Sequence, residues 1–207
     1  MGTKYDEQFY ETITDGAARS ADIVAPYIYR TWGRPQRVVD VGCGRGAWAR
    51  EFEKLGASVV GVDGPWVTEP LIDSFHAHDL TQPIPEALGS FDLAVCVEVA
   101  EHLPAARAAG LVNDLCRLAP VILFSAAIPW QTGTGHINCQ WPSYWARLFA
   151  EHGYGPVDDV RWDIWTDERV EVWYRQNLMI FTSGAAPVIN PGELDVVHPE
   201  IHAWGRS

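Results

Sequence analysis

The stretch Val38-Val39-Asp40-Val41-Gly42-Cys43-Gly44-Arg45-Gly46 restricts what this chain can fold into more than any other. An apolar run that breaks into alternating glycines reads as a buried strand entering a tight turn and then a helix. A second apolar run, Val59-Val60-Gly61-Val62, ends on another acid, Asp63. A strand, a turn open enough for a ligand to touch backbone, and an acid at the tip of the next strand suit an adenosine-containing ligand.

The same alternation continues downstream. Strands are expected over Arg37–Val41, Ser58–Val62, Phe75–His78, Phe91–Val97 and Val121–Phe124, with helices over Trp48–Leu55, after Pro104, and over Trp141–His152. Phe91-Asp92-Leu93-Ala94-Val95-Cys96-Val97 shows almost no polar alternation, as in a strand covered on both faces. The βαβα succession predicts an α/β fold: a Rossmann-like, doubly wound, mainly parallel seven-stranded sheet in three αβα layers. Further strands are expected near Val160–Trp165 and Leu178–Thr182, and an irregular tail after Ser183. Before the core, Phe9, Ile13, Ala17, Ile23, Val24 and Ile28 recur at mostly helical spacing, interrupted by Gly16 and Pro26, which predicts two short helices. The chain reads as one domain over 1–207, with 1–32 a helical cover or lid, 33–183 the core and 184–207 a tail. Tyr5, Phe9, Tyr10 and Ser20 are the residues expected to close over a ligand.

A formal charge of −12 and a pI near 4.9 argue against nucleic acid as the partner, because phosphate binding rests on Lys and Arg and these total only 15. No window approaches the roughly 18 apolar residues of a membrane span, and the polar N-terminus lacks a secretory pattern, so a cytoplasmic monomer or homodimer is expected. Cys43, Cys96, Cys116 and Cys139 form no C-x-x-C pair, and no histidine-carboxylate spacing matches a metal site; none is expected.

A dinucleotide fold wants G-x-G-x-x-G, with a helix N-terminus facing a pyrophosphate. Here the spacing is Asp40-x-Gly42-x-Gly44-x-Gly46, with an acid two residues before the first glycine. No pyrophosphate need be cradled if the ligand is S-adenosylmethionine, whose amino-acid end is a zwitterion. The sequence resembles the class I S-adenosylmethionine-dependent methyltransferases over roughly Arg37 to Ser125. In that family the glycine turn contacts the methionyl moiety, the acid after strand two binds ribose, and an Asp-Leu after strand three lies by the adenine. Asp40, Gly42, Gly44, Gly46, Asp63, Asp79 and Leu80 occupy those positions. Glu98-Val99-Ala100-Glu101-His102-Leu103-Pro104 and Gly135-His136-Ile137-Asn138 look like a small bacterial and phage subgroup of the family. The resemblance implies methyl transfer from S-adenosylmethionine, leaving S-adenosylhomocysteine.

Glu98, at a strand tip, is a candidate for the cofactor's ammonium group, and Glu101 for a helix cap. His136 and His102 are the candidate proton handlers for a hydroxyl or amine on a small-molecule acceptor such as a natural product or sugar. Trp130 and Trp173 are candidate walls of the acceptor site, and Asn138 would orient the acceptor. Two other classes stand beside this reading: a binding module that keeps the cofactor without turnover, and an NAD-dependent oxidoreductase.

Overall fold

The computed structural model describes residues 7–185 and 189–204, with side chains described for 15–185 and 189–203. Its sheet is formed by β1 (Arg37–Val41), β2 (Ser58–Asp63), β3 (Phe75–Ala77), β4 (Leu93–Val97), β5 (Val121–Ser125), β6 (Gly155–Val157) and β7 (Met179–Thr182), in the spatial order β3-β2-β1-β4-β5-β7-β6. The first five strands pair in parallel, and β7 runs antiparallel to both of its neighbours. The order reverses beside β1, so β1 and β4 diverge at their carboxyl ends and leave a crevice there.

Alternate residues of the central strands feed opposite layers, which is why these strands carry no polar alternation. Val38, Leu93, Val95 and Leu123 face helices α1 (Glu7–Thr31), α2 (Ala47–Lys54), α5 (Asp159–Ile164) and α6 (Val172–Asn177). Val39, Ala94, Cys96, Ile122 and Phe124 face α3 (Ala108–Leu118) and α4 (Pro142–Ala150). Trp145 of α4 is 2% exposed and packs on Phe124, whose ring centroid is 5.3 Å away. The outcome is the three-layer α/β fold expected from the sequence.

Three segments differ from expectation. The N-terminal segment forms one continuous helix rather than two. Gly16 is no break: a β-carbon there would come within 2.9 Å of Glu171 Oε1, so glycine permits close docking of α1 on the chain before α6. The expected strand near Val160–Trp165 is instead the helix Asp159–Ile164, and the sixth strand lies earlier, at Gly155–Val157. The tail contains two short helices, α7 (Pro191–Leu194) and α8 (Pro199–Trp204). Among the described residues no helix is long and apolar enough to cross a membrane.

Candidate functional site

The crevice at the carboxyl ends of β1, β2 and β4 holds a cavity of about 310 Å³. Asp40, Gly42, Gly44, Asp63, Asp79, Leu80, Glu98 and His102 line it, so the strand-end residues singled out in the sequence converge on one space. Gly46 stands just behind, at the N-cap of α2, with its φ of 92°.

The glycine turn is built by sheet and packing together. Val62 of β2 accepts hydrogen bonds from the Gly42 and Cys43 N–H groups at 2.7 and 3.3 Å, which bends the chain off β1. Gly42 sits at φ 78°, and a β-carbon on it would lie 2.3 Å from Val99 Cγ2. Only glycine meets both demands. Asp40 is 2% exposed and accepts the Ala49 N–H at 3.1 Å, tying β1 to the first turn of α2. Burial, with the nearby Asp63 charge, pushes its carboxyl up to about 7, against the opposing Ala49 hydrogen bond.

Asp63 accepts the Gly44 N–H on Oδ2 at 2.7 Å and the Gly64 N–H on Oδ1 at 2.6 Å. Burial raises its pKa, and those two N–H groups restrain the rise. Each oxygen keeps a second lone pair, enough to accept a vicinal diol. Trp66 lies over Gly64, where a β-carbon would fall 2.1 Å from the indole, and forms a wall beside Asp63. Asp79 is held by the Thr81 N–H at 2.9 Å, which lowers its pKa. The loop it begins is clamped from below. Arg107 donates to the carbonyls of Leu80 and Gln82, at 2.9 and 3.1 Å, and to Asp114 at 2.5 Å.

Glu98 adopts φ 54°, a left-handed conformation unusual for a non-glycine residue. Its N–H donates to Ser125 Oγ at 3.0 Å, and its carboxylate accepts from Asn177 Nδ2 and Gln131 Nε2, each at 3.0 Å. Burial raises its pKa against these donors. Glu101 caps no helix: it is fully buried, neither carboxyl oxygen makes a hydrogen bond of full geometry among the described residues, and burial with the Glu98 charge drives its pKa well upward, against the nearby Ala127 N–H. His102 and His136 meet edge to face with ring centroids 5.0 Å apart. His136 Nδ1 lies 3.1 Å from the Gln131 carbonyl, and burial lowers its pKa. Glu101, His102 and His136 each bring a ligand-type atom within 4.8 Å of the others. Their spacing along the chain, one residue and then a long gap, carried no signal of this meeting.

The remaining candidates lie outside the main cavity. Trp130, 72% exposed at φ 72°, packs edge-on to Trp141, which itself precedes α4. Trp173 packs between apolar clusters, and its neighbour Tyr174 lines the cavity instead, accepting from Trp48 Nε1 at 3.3 Å. Asn138 is 3% exposed; its Oδ1 accepts from Gln140, while its Nδ2 has no partner among the described residues. Of the expected lid, Tyr5 and the side chains of Phe9 and Tyr10 lie outside the described residues. Ser20 is buried and bonded to the Gly16 carbonyl and the Glu171 N–H, so it docks α1, while Ala17 borders the cavity. Tyr174, Trp48 and Trp66 are lining residues that the sequence reading missed, because aromatic residues at helix and loop positions look like core.

Comparison with known proteins identifies the family and supports the fold. A family model described as "Methyltransferase domain" matches residues 17–125, about half of the chain. The chain is 36% identical over 80 residues to a ubiquinone biosynthesis O-methyltransferase of Colwellia psychrerythraea, a match covering 33% of this chain and 32% of that protein. It therefore spans about a third of the length of such curated relatives. The fold is similar to that of magnesium protoporphyrin IX methyltransferase from Synechocystis with bound SAM, at TM-score 0.57 and 20% identity over 86% of each chain. An O-methyltransferase family protein from Burkholderia thailandensis superposes at TM-score 0.63 and 12% identity, covering 86% of this chain and 60% of that one.

Proposed function

The chain belongs to the methyltransferase-domain family, within the class I S-adenosylmethionine-dependent methyltransferases, and from that premise we propose that it methylates a hydroxyl of a small molecule. The observation that carries the reading is the convergence of Asp40, Gly44, Asp63, Asp79 and Glu98 on one cavity of about 310 Å³. The donor set fits the cofactor: Asp63 keeps lone pairs for two ribose hydroxyls, Trp66 and Leu80 supply flat apolar walls, and three acids face a cationic ligand. When bound, S-adenosylmethionine supplies a methyl on a positively charged sulfur, whose S–C bond breaks with its electron pair left on sulfur as the acceptor O–C bond forms.

The protein's part is alignment and proton handling. Glu98, pinned by Asn177 and Gln131, presents its carboxylate at the cavity floor, where it would hold an ammonium group. His102 lines the cavity and His136 stands behind it, so acceptor protons can leave toward this pair. Burial keeps His136 neutral at pH 7, the form that can accept a proton. Asn138 Nδ2, buried without a partner among the described residues, is a donor for orienting the acceptor, and Trp130, with Ile137 at 62% exposure, forms an apolar rim over the same loop. Relatives named as O-methyltransferases favour oxygen over nitrogen as the acceptor atom.

Calorimetry tests the donor half: S-adenosylmethionine should bind and NAD should not, and Asp63→Ala should weaken binding by about tenfold or more, the scale of lost charge-assisted hydrogen bonds. Unchanged affinity would remove the ribose assignment. His136→Ala should leave that affinity nearly intact and lower turnover by roughly a hundredfold or more on an acceptor found by panel screening.

A further inference from the structure

We propose that Glu101, His102 and His136 bind one divalent cation of the manganese, cobalt or zinc kind, at a site that opens on the cofactor cavity through His102. The first support is Glu101. Its side chain is fully buried, neither oxygen makes a hydrogen bond of full geometry among the described residues, and it lies between the Glu98 carboxylate and the Ala127 N–H on one side and two imidazoles on the other. A carboxyl buried so deeply is either held neutral by a proton or ionised against a cation, and a cation that binds here displaces that proton.

The second support is the state of His136. A carbonyl oxygen can only accept, so the contact of Nδ1 with the Gln131 carbonyl at 3.1 Å places the proton on Nδ1 and leaves a lone pair on Nε2. A ring N–H donated to a backbone carbonyl is the usual way a metal-bound histidine is oriented. Gly133 keeps the space beside that nitrogen open, since a β-carbon there would sit 2.2 Å from Nε2. The third support is how the site is held together. The Glu101 carbonyl accepts the N–H groups of Ile137 and Asn138, at 2.8 and 3.0 Å, which lashes the loop carrying His136 to the turn carrying Glu101 and His102.

Ligand atoms bound at about 2.1 Å to one ion stand roughly 3 to 3.5 Å apart. The three groups lie within 4.8 Å of one another, so the ion would draw them in by about an ångström, a change within reach of side-chain torsions. Two imidazoles and one carboxylate select a transition-range cation over magnesium or calcium and leave coordination positions free. With the ion bound, His102 and His136 act as its ligands in place of proton acceptors, and an acceptor hydroxyl at a free position would lose its proton to solvent more readily, leaving the oxygen lone pair to form the new O–C bond. That use of the ion rests on the methyl-transfer reading; the binding of the ion does not.

The test uses the full chain stripped with a chelator and dialysed. Mn²⁺ is titrated in without acceptor, following loss of the free-ion electron paramagnetic resonance signal, and Zn²⁺ is then added as competitor. About one equivalent should bind, and Glu101→Gln and His136→Asn should each weaken binding by roughly tenfold or more, with far-ultraviolet circular dichroism unchanged. If Glu101→Gln fails to fold, His136→Asn decides alone. Absence of stoichiometric Mn²⁺, Co²⁺ or Zn²⁺ binding to the wild type, or unaltered binding in the folded variants, overturns the proposal. S-adenosylmethionine affinity measured in the same preparations separates the two ideas. Cofactor binding without cation binding sinks only the metal site, and the reverse sinks only the methyl-transfer reading.

Discussion

Replacing Asp40 by asparagine should make the cofactor-free protein more stable at pH 8 while weakening its hold on the cofactor. Asp40 is 2% exposed, and burial raises its carboxyl from 3.8 to about 7 in the folded chain. A raised acid favours the folded state while it is protonated, so its contribution is intact below about pH 4 and is lost as pH rises through 7. A rise from 3.8 to about 7 amounts to on the order of 4 kcal/mol. Of this, roughly 2 to 3 kcal/mol develops between pH 5 and pH 8. Asparagine offers the same acceptor to the Ala49 N–H, now 3.1 Å away, but carries no charge to desolvate. Urea unfolding of wild type and Asp40→Asn at pH 5 and pH 8 isolates this one group, because the other buried acids are common to both chains. The stability difference should grow by about 2 to 3 kcal/mol in favour of the variant across that interval. A difference that stays constant with pH, or a variant less stable at both values, would refute the assignment of a desolvated carboxyl at this position. The same substitution should weaken S-adenosylmethionine binding most at pH 8, where the wild-type carboxylate is ionised and faces the cavity.

Arg107→Met should cost about 3 kcal/mol, since it strips the buried Asp114 of its near charged partner and leaves the Ile84 N–H at 3.0 Å and Arg117 at 3.7 Å. It should also loosen cofactor binding by freeing the Leu80 and Gln82 carbonyls; chemical unfolding and calorimetry on the single variant and on Arg107→Met/Asp114→Asn check this, the double variant regaining stability but not affinity. Gly42→Ala should lose roughly 2 kcal/mol or more from its positive φ and its clash with Val99. Adding Val99→Ala should return only the steric part, and full rescue would mean that the φ of 78° carries no cost.

Legibility in the sequence followed how each segment is buried. β1, β2, β4 and β5 were readable because both faces of each strand are covered, which writes burial into consecutive residues. The stretch Val160-Arg161-Trp162-Asp163-Ile164-Trp165 alternates apolar and polar and so looked like a half-buried strand. In the fold it is a helix because Arg161, with no exposed side-chain surface, is buried by pairing with Asp158 and donating to the Leu194 carbonyl at 3.0 Å. Val160 and Ile164 supply the apolar face at helical spacing. A pattern that scores arginine as outward cannot see that. Pro26 misled in the same way: read as a break, it lies inside α1, where packing of Val24, Ala25 and Ile28 into the apolar layer outweighs one missing hydrogen bond.

The two halves of the site differ for a related reason. Asp40 and Asp63 lie at the carboxyl ends of β1 and β2, and Asp79 and Glu98 just beyond β3 and β4; a parallel sheet brings those strand ends to one edge, so knowing the strands locates the acids. No such rule locates His136. Its place depends on the loop after β5 returning to the Glu101 carbonyl, a contact between backbone groups that any residue could make and that leaves no mark on composition. Side chains show the same asymmetry: Asp63 is oriented by its immediate neighbour Gly64 and by the nearby turn, whereas Glu98 is oriented by Gln131 and Asn177 from two distant segments. A donor site assembled from strand ends can be inferred locally, while an acceptor site assembled from loop returns requires the fold. Substitutions at Gln131 and Asn177, far along the chain from the glycine turn, should therefore disturb the chemistry at Glu98 more than conservative changes beside it.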